Sequence, residues 1–582
     1  MTILEKLHRP VVLAGVLVCA SIILLPTAGK RRAEATAARS AAAAAQTSEL
    51  DVIVRFKAPL TKSQHKLVSS YGGRLYRELP IINSAAYHVS KPGLKNLLAS
   101  GTVASYGIDH QVKASMDVTA AAVGANIANS YGWTGQGVGV AIIDSGIANP
   151  VHQDLTDSSG KSRVSYSTYL RQESTTDDLY GHGTHIAGMI GGRGTDSTGP
   201  QYTRTFKGVA PGVTFVTFAV LDQHGAGVDS NVIEAIQQAI ALKSKYNIRV
   251  MNLSFGRPVF QSYRTDPLCQ AVEQAWKAGI VVVVAAGNNG RDNFFGTEGY
   301  GTINSPGNDP YVIIVGAMRT MGTVTRSDDA LATYSSKGPT LIDHIVKPDI
   351  VAPGNQIRST LALDGRLRHQ YPVNDVDLSY YVKGGSTQHG DQYYEMSGTS
   401  MATAVVSGAA ALLIQKDPTL TPDQVKARLM LTASKTFPLW ANATDPTTGI
   451  TYTVRHDIFS VGAGYLDVMA AINNTNKAPG PALSPVATYN ATIQQATLSD
   501  NVNGVLAIWG TGAIWGTGAI WGTQVINGSL AVWGTGAIWG TQTVSSTLAV
   551  WGTGAIWGTG AIWGTNTSIG TESDPLAVYG EK

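Results

Sequence analysis

Only two cysteines occur in 582 residues, Cys19 and Cys269, so a disulfide framework is excluded and the fold must be held by its core. Charge is equally sparse: Asp, Glu, Lys and Arg make up 14% of the chain and leave a formal net charge of +3. Beyond Lys30, Arg31 and Arg32 there is no basic block, and nothing in this pattern calls for nucleic acid as a partner. Long hydrophobic runs are scarce, the exception being residues 11–25 behind Lys6 and Arg9. That run, followed by Pro26-Thr27-Ala28, reads as an export signal over residues 1–28. A retained anchor is the alternative, because the run approaches the roughly 18 residues that span a bilayer. Glycine is what the chain has in quantity, 64 residues, which suits a loop-rich enzyme better than a helical bundle.

Composition divides the chain further. Residues 29–48 form an Ala-rich spacer. Residues 49–115 carry strand signals at 51–56, 86–89 and 103–108 and helical ones at 63–71 and 91–99, a small α+β unit. From 116 to 475, near-continuous apolar runs at 138–143, 213–220, 249–253, 280–285 and 312–315 alternate with helical patterns at 231–246 and 266–278. Such runs belong to strands buried on both faces, so the expected class is α/β, a mostly parallel central sheet covered by helices. An active site then gathers outside the carboxyl ends of the strands. Residues 476–504 read as a linker that closes this domain, rich in Pro, Gly and Ala at its start.

The tail, residues 505–582, repeats a six-residue unit, Ala-Ile-Trp-Gly-Thr-Gly, and holds eight of the eleven tryptophans with no charged residue between 502 and 571. An even period puts successive Trp residues on one face if the repeats are extended. The tail therefore reads as β-type: a solenoid or adhesive sheet binding itself, a cell surface or an insoluble substrate. A low-complexity extension is the other reading.

Three separated motifs supply what peptide hydrolysis needs: a nucleophile, a base for its proton, and a carboxylate to orient that base. Asp144 ends a buried apolar strand in Ala141-Ile142-Ile143-Asp144-Ser145-Gly146. His182 lies in Gly181-His182-Gly183-Thr184-His185, a small-residue turn opening into a helix. Ser400 lies in Gly398-Thr399-Ser400-Met401-Ala402, again at a helix start, where free N–H groups favour developing negative charge. Each motif alone has a bland reading as a cap, turn or loop residue. In this order and with these flanks, they resemble the subtilisin-like serine peptidases over residues 116–472.

The resemblance implies that fold and a serine endopeptidase that works through an acyl-enzyme at Ser400, with Asp144 and His182 completing the triad. Val281-Val282-Val283-Val284-Ala285-Ala286-Gly287-Asn288 is similar to the family's oxyanion segment and makes Asn288 the side-chain donor. Ser254, Phe255 and Gly256 correspond to the strand that pairs with bound peptide, and Ala286 and Gly287 to the opposite wall of the pocket for the P1 side chain. Backbone pairing makes broad specificity the expectation, and Phe255 with the segment Asn304-Ser305-Pro306-Gly307 suggests a pocket without an acidic floor, which favours apolar P1 residues. Residues 49–115 stand where relatives carry an inhibitory prodomain that the enzyme itself removes, and the implied location is extracellular, with envelope attachment through the tail as a variant. No cofactor is implied for the chemistry. Structural calcium is implied only in part: Asp154 matches a calcium-ligating position of many relatives, but no complete site can be assembled from the sequence. One departure stands out, since Ala404 replaces a Pro that the family usually carries in the helix after the nucleophile.

Overall fold

The computed structural model describes residues 49–79, 83–108, 118–293, 296–438, 440–445, 448–475, 480–490 and 495–499, followed by several short backbone strands and Glu581. The expected export segment, the spacer and most of the tail lie outside the described residues. The chain divides into two units, Met1–Lys113 and Ala114–Lys582.

In the first unit β1 (Glu49–Phe56), α1 (Lys62–Ser70), β2 (Arg74–Leu79), β3 (Ser84–Ser90), α2 (Lys91–Ala99) and β4 (Val103–Ile108) follow one another. The strands form one antiparallel sheet in the order β2-β3-β1-β4. Val52, Val54 and Phe56 alternate inward from β1 and meet Val68, Leu94 and Leu97 of the helices in a small core. Thr61 and Gln64 form a capping box that starts α1, and Ser90 caps α2, each satisfying N–H groups that the helix cannot. The strand β2 was not expected. Its side chains are nearly all exposed, so it shows no alternation to read.

The second unit is built on an eight-stranded sheet. Its strands are β5 (Gly139–Asp144), β6 (Val164–Tyr169), β7 (Thr214–Ala219), β9 (Ile248–Leu253), β10 (Val281–Ala285), β11 (Ile313–Arg319), β12 (Ala330–Leu331) and β13 (Ile350–Pro353), while β8 (Ala226–Gly227) stands apart. The order is β12-β11-β10-β9-β5-β7-β6, with β13 beside β11, and every pairing is parallel except β11 with β12. The five apolar runs in the sequence are the strands β5, β7, β9, β10 and β11, and their side chains are almost wholly buried. Helices α3 (His182–Gly191) and α6 (Thr399–Lys416) pack together on the sheet, as do α4 (Asp229–Tyr246) and α5 (Pro267–Lys277). These two pairs are the covering layers that a parallel sheet requires.

Part of the segment read as a linker belongs to this packing. Ala482 and Ser484 are buried, and the hydroxyl of Ser484 donates to Asp349 at 2.5 Å while accepting from Lys426 Nζ at 2.9 Å. Asp349 also pairs with Lys347 at 2.8 Å. In the tail, the strands at Ala513–Trp515 and Ala519–Trp521 pair antiparallel. Two further pairings are parallel, and in them Ile520 faces Ile538 and Gln524 faces Gln542, the same offset of three six-residue repeats.

Burial also sets a pH response. His456 is fully buried, accepts a hydrogen bond from the Leu331 N–H at 3.1 Å through Nε2 and donates through Nδ1 to the Pro438 carbonyl. Burial, chiefly, pulls its pKa down to about 4. A depressed folded-state pKa contributes stability that is complete above the unfolded value near 6.5 and is lost as pH falls through the folded value. The stability difference between the protein and its His456→Gln variant should therefore shrink below pH 6.5, by roughly 1.4 kcal/mol per pH unit, until about pH 4. Urea unfolding at several pH values, with Ser400→Ala in both proteins to keep the samples intact, measures it. A pH-independent difference would mean that His456 titrates normally in the fold.

Candidate active site

Asp144 is the last residue of β5 and is completely buried. A carboxylate there needs partners, and it has them: Oδ1 accepts from the Ser145 N–H at 2.7 Å and from His182 Nδ1 at 2.8 Å. His182 opens α3 and is itself buried. Gly183 makes that approach possible, because a Cβ on it would lie 2.2 Å from the carbonyl oxygen of Gly146 in the loop after β5.

A second acid supports the first. Asp178, also buried, accepts from the Ser145 hydroxyl, the Gly181 N–H and the Thr184 N–H, each at 2.7 Å. The Ser145 hydroxyl in turn accepts from the Gly183 N–H at 2.9 Å. Burial raises the Asp178 pKa, and the hydrogen bonds from Thr184, Ser145 and Gly181 oppose the rise. No sequence motif pointed to Asp178 or Ser145. His185, one turn along α3, is held neutral: burial first, and the proximity of His182 second, lower its pKa to about 3. Its Nε2–H donates to the carbonyls of Ile357 and Tyr394, both at 3.1 Å.

Ser400 occupies the first turn of α6. Its hydroxyl donates to the Ser254 carbonyl at 2.8 Å, and the Ser254 hydroxyl donates to the Ser400 carbonyl at 3.1 Å. Asn252 bridges the same helix and strand, donating to Ser254 Oγ and accepting from Ser407 Oγ, both at 2.8 Å. Ser254 follows β9, the neighbour of β5, so Ser400 and the Asp144–His182 pair stand at the carboxyl ends of adjacent parallel strands. Ala404 is buried in an unbroken α6, and the Thr403 hydroxyl bonds back to the Thr399 carbonyl at 2.7 Å.

Asn288 follows β10 and accepts from the Thr399 N–H at 3.1 Å through Oδ1. Fixing the carbonyl end of this amide leaves its NH₂ end as the donor beside the start of α6. Gly287 has φ +103°, and a Cβ there would lie 2.6 Å from Asn304 Nδ2. Its N–H donates to Thr399 Oγ1 at 3.2 Å. On the facing segment, a Cβ at Gly256 would meet Asn304 Cβ at 2.7 Å. The side chain of Asn304 thus lies between the segments of Gly256 and of Ala286 and Gly287. Phe255 is buried in the main core, so its ring packs there. The segment of Asn304 was expected at this pocket from sequence, but the position of its side chain between the two walls was not.

Asp154 lies beside His152 and Asp196, with one potential ligand atom of each within 4.8 Å of the others. Both oxygens of Asp154 already have protein donors, the Asp196 N–H at 3.1 Å and the hydroxyl of buried Tyr393 at 2.9 Å. Calcium takes six to eight oxygen ligands. Two carboxylates, one of them already accepting a protein donor on each oxygen, and an imidazole fall short of that number.

The sequence model of the subtilase family matches residues 135–465. Serine protease AprX of Bacillus subtilis (strain 168) is 36% identical over 360 residues, covering 60% of this chain and 73% of the relative. Subtilisin E of the same organism is 33% identical over 400 residues, covering 68% of this chain and 87% of the relative. The extracellular serine proteinase of Thermus sp. (strain Rt41A) is 34% identical over 305 residues, 52% of this chain and 57% of the relative.

Proposed function

Because the chain belongs to the subtilase family and is a subtilisin-like serine endopeptidase, we propose that Ser400, His182 and Asp144 cleave peptide bonds through an acyl-enzyme, assisted by Asn288. The observation that carries this assignment is the buried 2.8 Å bond between Asp144 and His182 beside the start of the Ser400 helix.

In the proposed reaction Ser400 Oγ attacks the scissile carbonyl carbon while its proton passes to His182 Nε2. Asp144, accepting from Nδ1–H, holds the ring in the tautomer that leaves Nε2 basic and stabilises the imidazolium. The oxyanion is met by the Asn288 amide and by N–H groups at the head of α6. His182 then protonates the leaving amine, and water, deprotonated by the same imidazole, releases the acid and restores Ser400.

Ser254, Phe255 and Gly256 on one side and Ala286 and Gly287 on the other bind the substrate mainly through backbone, which supports broad specificity. The same reading favours apolar P1 residues, and Asn304 between the walls limits their length. Residues 49–115, with their own sheet and core, serve as an inhibitory prodomain that the enzyme cuts away. Export over residues 1–28 is supported by the likeness to the extracellular serine proteinase of Thermus sp. (strain Rt41A). Calcium at Asp154 is not part of the proposal, since its oxygens are used by Tyr393 and Asp196. For the tail, the constant parallel offset of three repeats favours a β-solenoid that locates the enzyme on a surface or an insoluble substrate.

Three substitutions test these roles. Ser400→Ala should abolish turnover and also removal of residues 49–115; continued processing of the purified variant would place that cut with another protease. Asn288→Ala should still be labelled at Ser400 by a fluorophosphonate while kcat falls by roughly 10² to 10³, a magnitude taken over from subtilisin itself. An unchanged kcat would move the oxyanion donor elsewhere. Asn304→Gly should raise kcat/KM for Phe at P1 relative to Ala at P1 by about tenfold. A constant ratio across P1 peptides would show that Asn304 does not bound the pocket.

A further inference from the structure

Glu581 lies far along the sequence from the groups just described, yet only 1% of it is exposed. Its Oε1 accepts from Arg291 Nη2 at 2.7 Å, from the Tyr334 N–H at 3.2 Å and from the Thr333 hydroxyl. Its Oε2 accepts from the Thr333 N–H at 3.0 Å and pairs with Arg319 Nε at 3.3 Å. Asn355 reads its backbone from both sides, accepting from the Glu581 N–H at 2.7 Å and donating to the Glu581 carbonyl at 2.8 Å. Two cations, a hydroxyl and two backbone donors around one carboxylate, with an amide that pairs with the main chain, form a receptor for an acidic residue within a peptide.

A second contact involves the same stretch of chain. Ile569–Gly570 (β26 in chain order) pairs antiparallel with β8, Ile569 facing Gly227 and Gly570 facing Ala226. The edge of β8 lies next to the site. Ala226 accepts from the Asp222 N–H at 2.7 Å, and the N–H groups of Val220 and Leu221, just before it, donate to the carbonyl of Asp144. Apart from Ile569–Gly570, β8 pairs with no other described strand, and on a segment bonded to the Asp144 backbone such an edge is where an extended substrate would add by backbone pairing.

Sheet order relates the two contacts. The receptor is assembled from the ends of β11, β12 and β13, and β8 follows β7. Between β11 and β7 stand β10, β9 and β5, whose carboxyl ends lead to Asn288, Ser254 and Asp144. The receptor is also joined to the site: the Gly290 N–H donates to the Tyr334 carbonyl at 2.7 Å, and the Gly354 carbonyl, next to Asn355, accepts from the Gly398 N–H at 2.7 Å. The two anchors therefore bracket the cleft.

We propose that the chain's own tail is an inhibitory latch, in which Glu581 seats in the Arg291–Arg319 receptor and Ile569–Gly570 takes the β8 edge, so that protein substrates must displace it. The proposal rests on reading the cleft as the peptide-binding site of the enzyme. A tether makes such competition strong, because a linked segment acts at a high effective concentration.

Full-length protein carrying Glu581→Ala, and separately Gly570→Pro, which removes a backbone donor in β26, is compared with the unaltered chain after mass spectrometry has verified that the tail is intact. Both variants should lower KM for a soluble protein substrate by about tenfold with kcat unchanged. A synthetic peptide of residues 566–582 should bind full-length Ser400→Ala/Glu581→Ala protein in calorimetry. It should inhibit active Glu581→Ala protein competitively, and its Glu581→Gln form should do both at least about tenfold more weakly. Destabilisation of Glu581→Ala with KM unchanged in both variants would overturn the latch and leave Glu581 a structural tie. So would peptide binding without competition, or no binding at all. Peptide binding to the Glu581→Ala protein that retains Ser400, together with absence of any peptidase activity in that protein, would instead count against the catalytic assignment and leave the receptor standing.

Discussion

A carboxylate removed from water at the end of a strand is costly unless it is paired, and Asp144 is paired through Oδ1, which accepts from His182 and from the backbone of Ser145. Much of the surrounding architecture follows from holding this pair. Asp178 fixes the turn before His182 through Gly181 and Thr184, and it grips Ser145, whose hydroxyl holds the Gly183 N–H. Gly183 lets the helix start approach the carbonyl of Gly146, and Gly146 lets the loop after the strand approach the carbonyls of Thr176 and Asp177, each to a separation that no side chain would fit. The imidazole is thereby oriented before any substrate arrives, which is the condition for electrostatic preorganisation.

The proposed nucleophile is held by a different device. Ser400 and Ser254 exchange hydroxyl–carbonyl bonds, and Asn252 and Ser407 extend the link deeper into α6. The segment of Ser254 and the head of α6 are thus tied together by hydrogen bonds in both directions. Asn288 is attached to the same helix through the Thr399 N–H. These are buried hydrogen bonds between elements distant in sequence, and each supplies position rather than chemistry.

The body of the enzyme extends further along the chain than its catalytic motifs. Ser484 completes a buried cluster with Lys347, Asp349 and Lys426, so residues that look like a linker contribute to the core. Glu581 does likewise for Arg291 and Arg319, which would otherwise carry buried positive charge with fewer partners. Charge pairing, rather than apolar burial, is what joins this last stretch to the sheet.

The sequence by itself determined the class of chemistry and most of the central sheet. Asp144, His182, Ser400 and Asn288 could be nominated because each sits in a run of small residues at the end of an apolar strand or the start of a helix, a local pattern. The five apolar runs named five strands for the same reason. Strands such as β2 and β6 were not legible, since one is exposed throughout and the other is only half-buried along its length. Asp178, Ser484, the Glu581 receptor and the placement of the Asn304 side chain between the two cleft segments were decided by the tertiary structure alone. Each depends on partners brought together from separate segments, up to some 290 residues apart for Arg291 and Glu581. Such pairings leave no period or motif in the chain, because what makes an isolated Asp, Asn or Glu matter is the set of donors that folding places around it.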